Sequence, residues 1–102
     1  MRLLVMFDLP VVKDIDRKYA TQFRNFLIQD GYDMLQFSVY TRICANIDSA
    51  EVHTKRLLSN APNNGSIRIL TLTNKQFADA VIAAGKKKPQ EKKINESQLL
   101  LF

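Results

Sequence analysis

The apolar positions along the chain change spacing several times, and each change marks an element. Leu3 to Phe7 is an unbroken apolar run, so residues 2–8 read as a strand buried on both faces. Pro10 ends it, because it lacks an amide donor and restricts Leu9. Ile15, Tyr19, Phe23, Phe26 and Leu27 then fall at helical spacing and form one stripe. Asp14 is a plausible cap for this helix, and Gly31 after Asp30 is its stop. Residues 32–43 alternate as a strand does. Leu35, Phe37, Val39 and Thr41 point one way, toward a helix-covered core. Met34, Gln36, Ser38 and Tyr40 point the other, toward a partner surface. Asp48 and Glu51 resemble a capping box ahead of a helix over 49–59. Asn60 to Gly65 is a turn by composition, and 66–73 a third strand. Thr73 and Gln76 make a second capping box, before a short helix with Phe77, Ala80, Val81 and Ala84 on one side and Gly85 as its stop.

If the long second strand folds back as a hairpin, with its later part (about 42–47) a separate strand, the order is β-α-β-β-α-β. The predicted class is α+β: a ferredoxin-like sandwich, two helices on one face of the sheet and the other face open. The first strand is apolar on both sides, so either Leu4 and Met6 or Leu3, Val5 and Phe7 must sit on the open face. An exposed apolar sheet face is usually an interface, and a two-fold homodimer with sheets face to face is the simplest way to cover it. Residues 1–85 are read as this domain. Residues 86–102 are read as a basic linker and a C-terminal strand, Gln98 to Phe102, added at a sheet edge.

Length and composition narrow the classes. A chain of 102 residues makes one domain. The longest apolar run is far short of the ~20 residues a membrane span needs, and nothing resembles a signal peptide, so the expected compartment is the cytoplasm and no membrane partner is expected. One cysteine, Cys44, excludes a disulfide framework and reads as a small buried hydrophobe. The net charge of +5 favours acidic partners such as nucleic acid, but its distribution weakens that inference. Residues 86–102 carry five Lys against Glu91 and Glu96, whereas residues 1–85 carry ten basic side chains against eight acidic ones.

Few residues carry candidate chemistry. Asp8 follows five apolar residues at a strand end. It reads either as a turn carboxylate held by backbone amides or as a ligand for a hard divalent cation. Mg²⁺ commonly takes one or two carboxylates plus water and phosphate oxygens. In a two-fold dimer each Asp8 can meet its twin, and the pair with a bound phosphate would hold one metal and activate a water. Lys13, Arg17 and Arg24 share a helix face, read evenly as a solvated surface or as phosphate contacts. His53, the single histidine, has no partner motif and reads as a surface helix residue. Phe37 reads as core. Tyr40 reads as core or as a group beside Asp8. Glycine-rich phosphate loops are absent, against a nucleotide-dependent enzyme.

Four segments in this order resemble CRISPR-associated protein 2, in the version found in type II systems: Met6-Phe-Asp-Leu-Pro10, Phe23-Arg-Asn-Phe-Leu27, Gln36-Phe-Ser-Val-Tyr40 and Leu70-Thr-Leu-Thr-Asn-Lys-Gln-Phe77. The resemblance covers about residues 1–80. It implies a ferredoxin-like homodimer acting in CRISPR adaptation, or spacer acquisition, where it sits between dimers of the integrase, CRISPR-associated protein 1, and helps hold a duplex DNA precursor. Some members are Mg²⁺-dependent endonucleases on single-stranded RNA or duplex DNA, so RNA is a further expected partner. Their metal aspartate matches Asp8, and Mn²⁺ is an alternative to Mg²⁺. Arg17 and Lys18 match arginines that some relatives carry early in the first helix. Met34 stands where some have a basic residue. The expectation is a dimeric adaptation scaffold with Asp8 as catalytic and metal residue and Lys13, Arg17, Lys18 and Arg24 as nucleic-acid contacts. The alternative is a stand-alone metal-dependent endoribonuclease of the same fold.

Overall fold

Strand β1, Arg2–Asp8, organises the molecule. The computed structural model describes residues 1–85. After β1 come α1 (Asp14–Gln29), β2 (Asp33–Gln36), β3 (Val39–Ile43), α2 (Ile47–Asn60), β4 (Ser66–Leu72) and the short α3 (Asn74–Ala78). The four strands form one sheet in the order β2-β3-β1-β4, every neighbouring pair antiparallel. This is the split β-α-β arrangement of the ferredoxin-like sandwich. The linker and terminal strand expected over 86–102 lie outside the described residues.

The apolar run of β1 is divided between two faces. Leu3, Val5 and Phe7 are buried and pack with Phe23 and Leu27 of α1, Ala50 and Leu57 of α2, and Tyr32, Tyr40 and Cys44. Leu4 and Met6 are only half-buried. The register sets Leu4 beside Thr41 and Leu70, and Met6 beside Val39 and Arg68. These residues make the sheet face opposite α1 and α2, so the first of the two assignments for the open face holds. At its Arg2 end α3 closes over it: the Arg2 guanidinium lies 4.5 Å from the centre of the Phe77 ring. That burial lowers the Arg2 pKa, opposed by nearby Asp33.

Several local expectations change. The stripe of α1 that is buried runs through Asp16, Ala20, Phe23 and Leu27, while Ile15 and Tyr19 are 47% and 44% exposed on its flank. Ala20 has no bulk to hold the helix off the sheet, and Asp16 is accommodated by a hydrogen bond from Asn64 Nδ2 at 3.3 Å. The hairpin turns at Phe37-Ser38, five residues earlier than expected. Gln36 pairs with Val39, and a bulge between Met34 and Gln36 shifts the register. A turn resets strand alternation, so Tyr40 goes into the core, stacked on Phe7 at 5.7 Å between ring centres. Val39 and Thr41 go to the open face, and Phe37 is 92% exposed instead of buried. Helix α2 starts two residues early because Asn46, not Asp48, caps it: its side chain accepts from the Ser49 amide at 2.8 Å. The Thr73/Gln76 capping box forms as expected, but α3 ends at Ala78, and Val81 is 91% exposed.

Helix α1 ends in a Schellman motif. The Tyr32 amide donates to Leu27 O at 2.9 Å and the Gly31 amide to Ile28 O at 3.1 Å. Gly31 takes φ +90°, and a Cβ there would meet the Arg42 guanidinium. Tyr32, which follows, is buried, and its hydroxyl has no hydrogen-bond partner among the described residues. Burial, with the Asp30 charge adding to it, pushes its pKa well above the ordinary 10.0. Burial also raises the Cys44 thiol above 9.0. In both cases the unfolded chain loses its proton first, so the stability these groups contribute is complete below about pH 9 and is lost as pH rises further. Tyr32→Phe is expected to reduce the loss of stability above pH 10 and to raise stability at pH 7 by up to about 1 kcal/mol, because it removes an unpaired buried hydroxyl. Urea unfolding from pH 7 to 11 checks both.

Candidate nucleic-acid interface around Asp8

Asp8 is exposed and ends β1 on the face that carries Leu4 and Met6. Three constraints place it. Its backbone pairs with Ser66 of β4. The amide of Phe7, just before it, donates to Ser38 O in the β2–β3 turn at 3.0 Å. On the β4 side, Gly65 passes so close that a Cβ there would lie 2.5 Å from the Asp8 carbonyl oxygen, and Gly65 takes φ +87°. Only glycine meets both conditions without shifting the Asp8 backbone. The carboxylate therefore projects from a backbone fixed on both sides.

The basic residues expected to contact nucleic acid are all exposed. Lys13 is the N-cap residue of α1 and makes no side-chain cap. Arg17 folds back on the β1–α1 loop. Its Nη1 donates to Val11 O and Val12 O, both at 3.0 Å, and its Nη2 pairs with Asp14. That guanidinium braces the loop next to Asp8 as well as presenting charge. Arg24 lies on the same flank, about 10 Å further along the helix axis at 1.5 Å per residue, and its Nε donates to Ala20 O at 3.4 Å. Lys18 lies about 100° round the helix from Arg17. The four thus do not form one row: Lys13, Arg17 and Arg24 line a flank, and Lys18 points elsewhere.

His53 is not on the surface. It is 9% exposed, and it joins three elements. Arg42 Nη2 of β3 lies 2.9 Å from His53 Nε2, and Asp30 Oδ2 at the end of α1 lies 2.9 Å from Nδ1. Arginine only donates, so Nε2 accepts, the proton sits on Nδ1, and Nδ1 donates to Asp30. Asp30 Oδ1 also accepts from Arg56 Nη2 at 2.6 Å. The network joins the end of α1 to β3 and α2. Its sequence signal was weak, because Asp30, Arg42 and His53 share no motif and meet only through the fold.

Among the described residues, no group of three or more His, Cys, Asp or Glu side chains is placed to hold a metal ion. A groove of about 560 Å³ lies between Tyr19 and Gln22 of α1 and residues 59–64, and Asp8 is not part of its lining. No helix among the described residues is long and apolar enough to cross a membrane.

Comparison with known proteins addresses the family directly. The family model described as CRISPR associated protein Cas2 matches residues 1–80. The chain belongs to the Cas2 family. A curated relative from Acidovorax ebreus (strain TPSY), named CRISPR-associated endoribonuclease Cas2, is 55% identical over 102 residues, the full length of both chains. Proteins of the same name from Flavobacterium psychrophilum and Parvibaculum lavamentivorans are 45% and 44% identical. The first alignment spans 98% of this chain and 86% of the relative, the second all of both. The Cas2 match includes β1 with Asp8, α1 with its basic flank, the β2–β3 hairpin and β4.

Proposed function

We propose that the chain works as a face-to-face homodimer in CRISPR spacer acquisition, holding duplex DNA by its backbone and docking the integrase, CRISPR-associated protein 1. The observation that carries this reading is the exposed Asp8 carboxylate at the end of a half-covered apolar sheet face, on which Leu4, Met6 and Leu70 wait for a partner. Lys13, Arg17, Lys18 and Arg24 supply the positive charge, without sequence information.

Within one chain Asp8 is a single carboxylate, which fits Mg²⁺ only where water and phosphate oxygens complete the shell. Two copies of Asp8 and a bound nucleic acid supply such a set, and Mn²⁺ takes the same oxygen donors. When bound, the metal supplies charge neutralisation and water activation for phosphodiester attack. The relatives' name favours a second reading, a metal-dependent endoribonuclease acting without the integrase.

Two measurements separate these readings. For the scaffold, DNA affinity is expected to fall by up to about 10³ between 50 and 200 mM salt, with little sequence preference. A flat salt response or a strong preference for one sequence would overturn it. For the nuclease, RNA cleavage with Mg²⁺ is expected to stop on adding chelator and in Asp8→Ala, while that variant still binds DNA. Cleavage that survives the substitution means the chemistry lies elsewhere.

A further inference from the structure

We propose that Phe37 is a stacking platform for an unpaired nucleobase of the strand whose phosphate lies at Asp8. This rests on the reading that the Asp8 end of the sheet faces nucleic acid. Phe37 and Ser38 form the two-residue turn between β2 and β3. The turn is not loosely held. Ser38 takes φ +61°, and its carbonyl oxygen accepts from the Phe7 amide, which places the tip beside the residue preceding Asp8. The Phe37 side chain is 92% exposed, the largest exposure of any large hydrophobic residue described.

A phenyl ring has no polar atom, so hydrogen bonding cannot account for placing it in water on a braced turn. What it offers is two flat apolar faces. Each nucleotide joins a phosphate to a base with two such faces, and stacking of base on aromatic ring tolerates any sequence. A carboxylate suited to a metal-bridged phosphate, with an exposed aromatic residue on the turn hydrogen-bonded to the residue before it, matches that pairing of groups. Phe37 also stands beyond the last β2–β3 pair, Gln36 with Val39, and so outside the strand positions that make the apolar face. In an intact duplex the bases already stack on one another. The ring therefore selects single strands, or duplex ends that have opened.

The chain contains no tryptophan, so Phe37→Trp creates a single fluorescent reporter at the site. The full-length variant is titrated with a single-stranded RNA of about 12 nucleotides, within the usual range of single-strand sites, and with the same sequence as a blunt duplex. Binding is followed in parallel by anisotropy of the labelled nucleic acid. The single strand is expected to quench the tryptophan with the midpoint seen by anisotropy, and the duplex to quench it little. Phe37→Ala is expected to weaken single-strand binding about tenfold while Phe37→Tyr retains it. The side chain lies outside the core, and an unchanged melting temperature for Phe37→Ala separates lost contact from lost folding. Binding seen by anisotropy without quenching overturns the stacking role and leaves the nucleic-acid reading standing. No binding of the single strand in either channel overturns the stacking role, and the scaffold reading then stands or falls on the salt dependence of duplex DNA binding. A shift of Phe37→Ala from dimer to monomer in light scattering also overturns the proposal, and assigns the ring to the contact between copies.

Discussion

Asp30→Ala is expected to lower stability by about 3 kcal/mol, more than removal of any of its partners alone. The Asp30 side chain is 4% exposed and holds two donors, His53 Nδ1 and Arg56 Nη2. Once the carboxylate is gone, the His53 N–H has no acceptor and the Arg42 guanidinium loses the negative charge on the far side of the ring. Breaking a buried ionic network by removing one member typically costs about 3–5 kcal/mol, because the remaining groups stay desolvated. Arg56 moderates the effect, since its side chain is 55% exposed and turns to water at little cost. Arg56→Ala is therefore expected to cost less than about 1 kcal/mol, as exposed ion pairs do. For a domain of this size, about 3 kcal/mol lowers the melting temperature by roughly 10–20 °C. Melting of both variants, at one protein concentration because a dimer's transition depends on it, tests the order. Equal losses for Asp30→Ala and Arg56→Ala would mean that His53 adds nothing to the network.

Leu70→Lys is expected to break the proposed dimer into monomers without unfolding them. Leu70 is 38% exposed on β4, opposite Leu4 on the face that α1 and α2 leave open. Its exposure makes the substitution tolerable in the monomer. In a two-fold interface the same surface serves both partners, so one substitution introduces two charges. Each would lose several kcal/mol of hydration on burial against the apolar side chains of this face, where the register sets Leu4 beside residue 70 and Arg68 and Met6 next along. Light scattering is expected to give the 11.7 kDa monomer mass for the variant and twice that for the parent. A variant that remains dimeric would show that the apolar face is not the interface, and would remove the paired Asp8 site with it.

Much of the fold was legible because backbone rules acted locally. The unbroken run of β1, the Gly31 stop and the Thr73/Gln76 box each depend on residues close in the chain, and each appears where expected. The hairpin was misplaced for a reason of the same kind. Strand alternation was carried through Phe37 and Ser38, but Ser38 adopts φ +61° and the turn reverses which residues face the core. One misplaced turn exchanged the fates of Phe37 and Tyr40. Within the candidate site, Asp8 was legible as a carboxylate at a strand end. The Asp30–His53–Arg42 network was not, because its members lie 23 and 11 residues apart in the chain and meet through tertiary packing. The helix-face reading of Lys13, Arg17 and Arg24 survives in placement, but spacing could not show that Arg17 is engaged with Val11, Val12 and Asp14.

The near-contact between residue 65 and the Asp8 carbonyl has a consequence for mutational scanning. If Asp8 acts as proposed, a library covering every position, scored only for function, ranks Gly65 beside it, although no side chain exists at 65 to meet a ligand. The two positions fail by different routes. Any side chain at 65 pushes on main-chain atoms at a left-handed φ, so the protein itself is depleted. An exposed carboxylate at 8 can be lost while the protein persists. Scoring abundance alongside activity splits the pair, and tests whether the carboxylate at 8 does the chemistry proposed for it while position 65 only makes room.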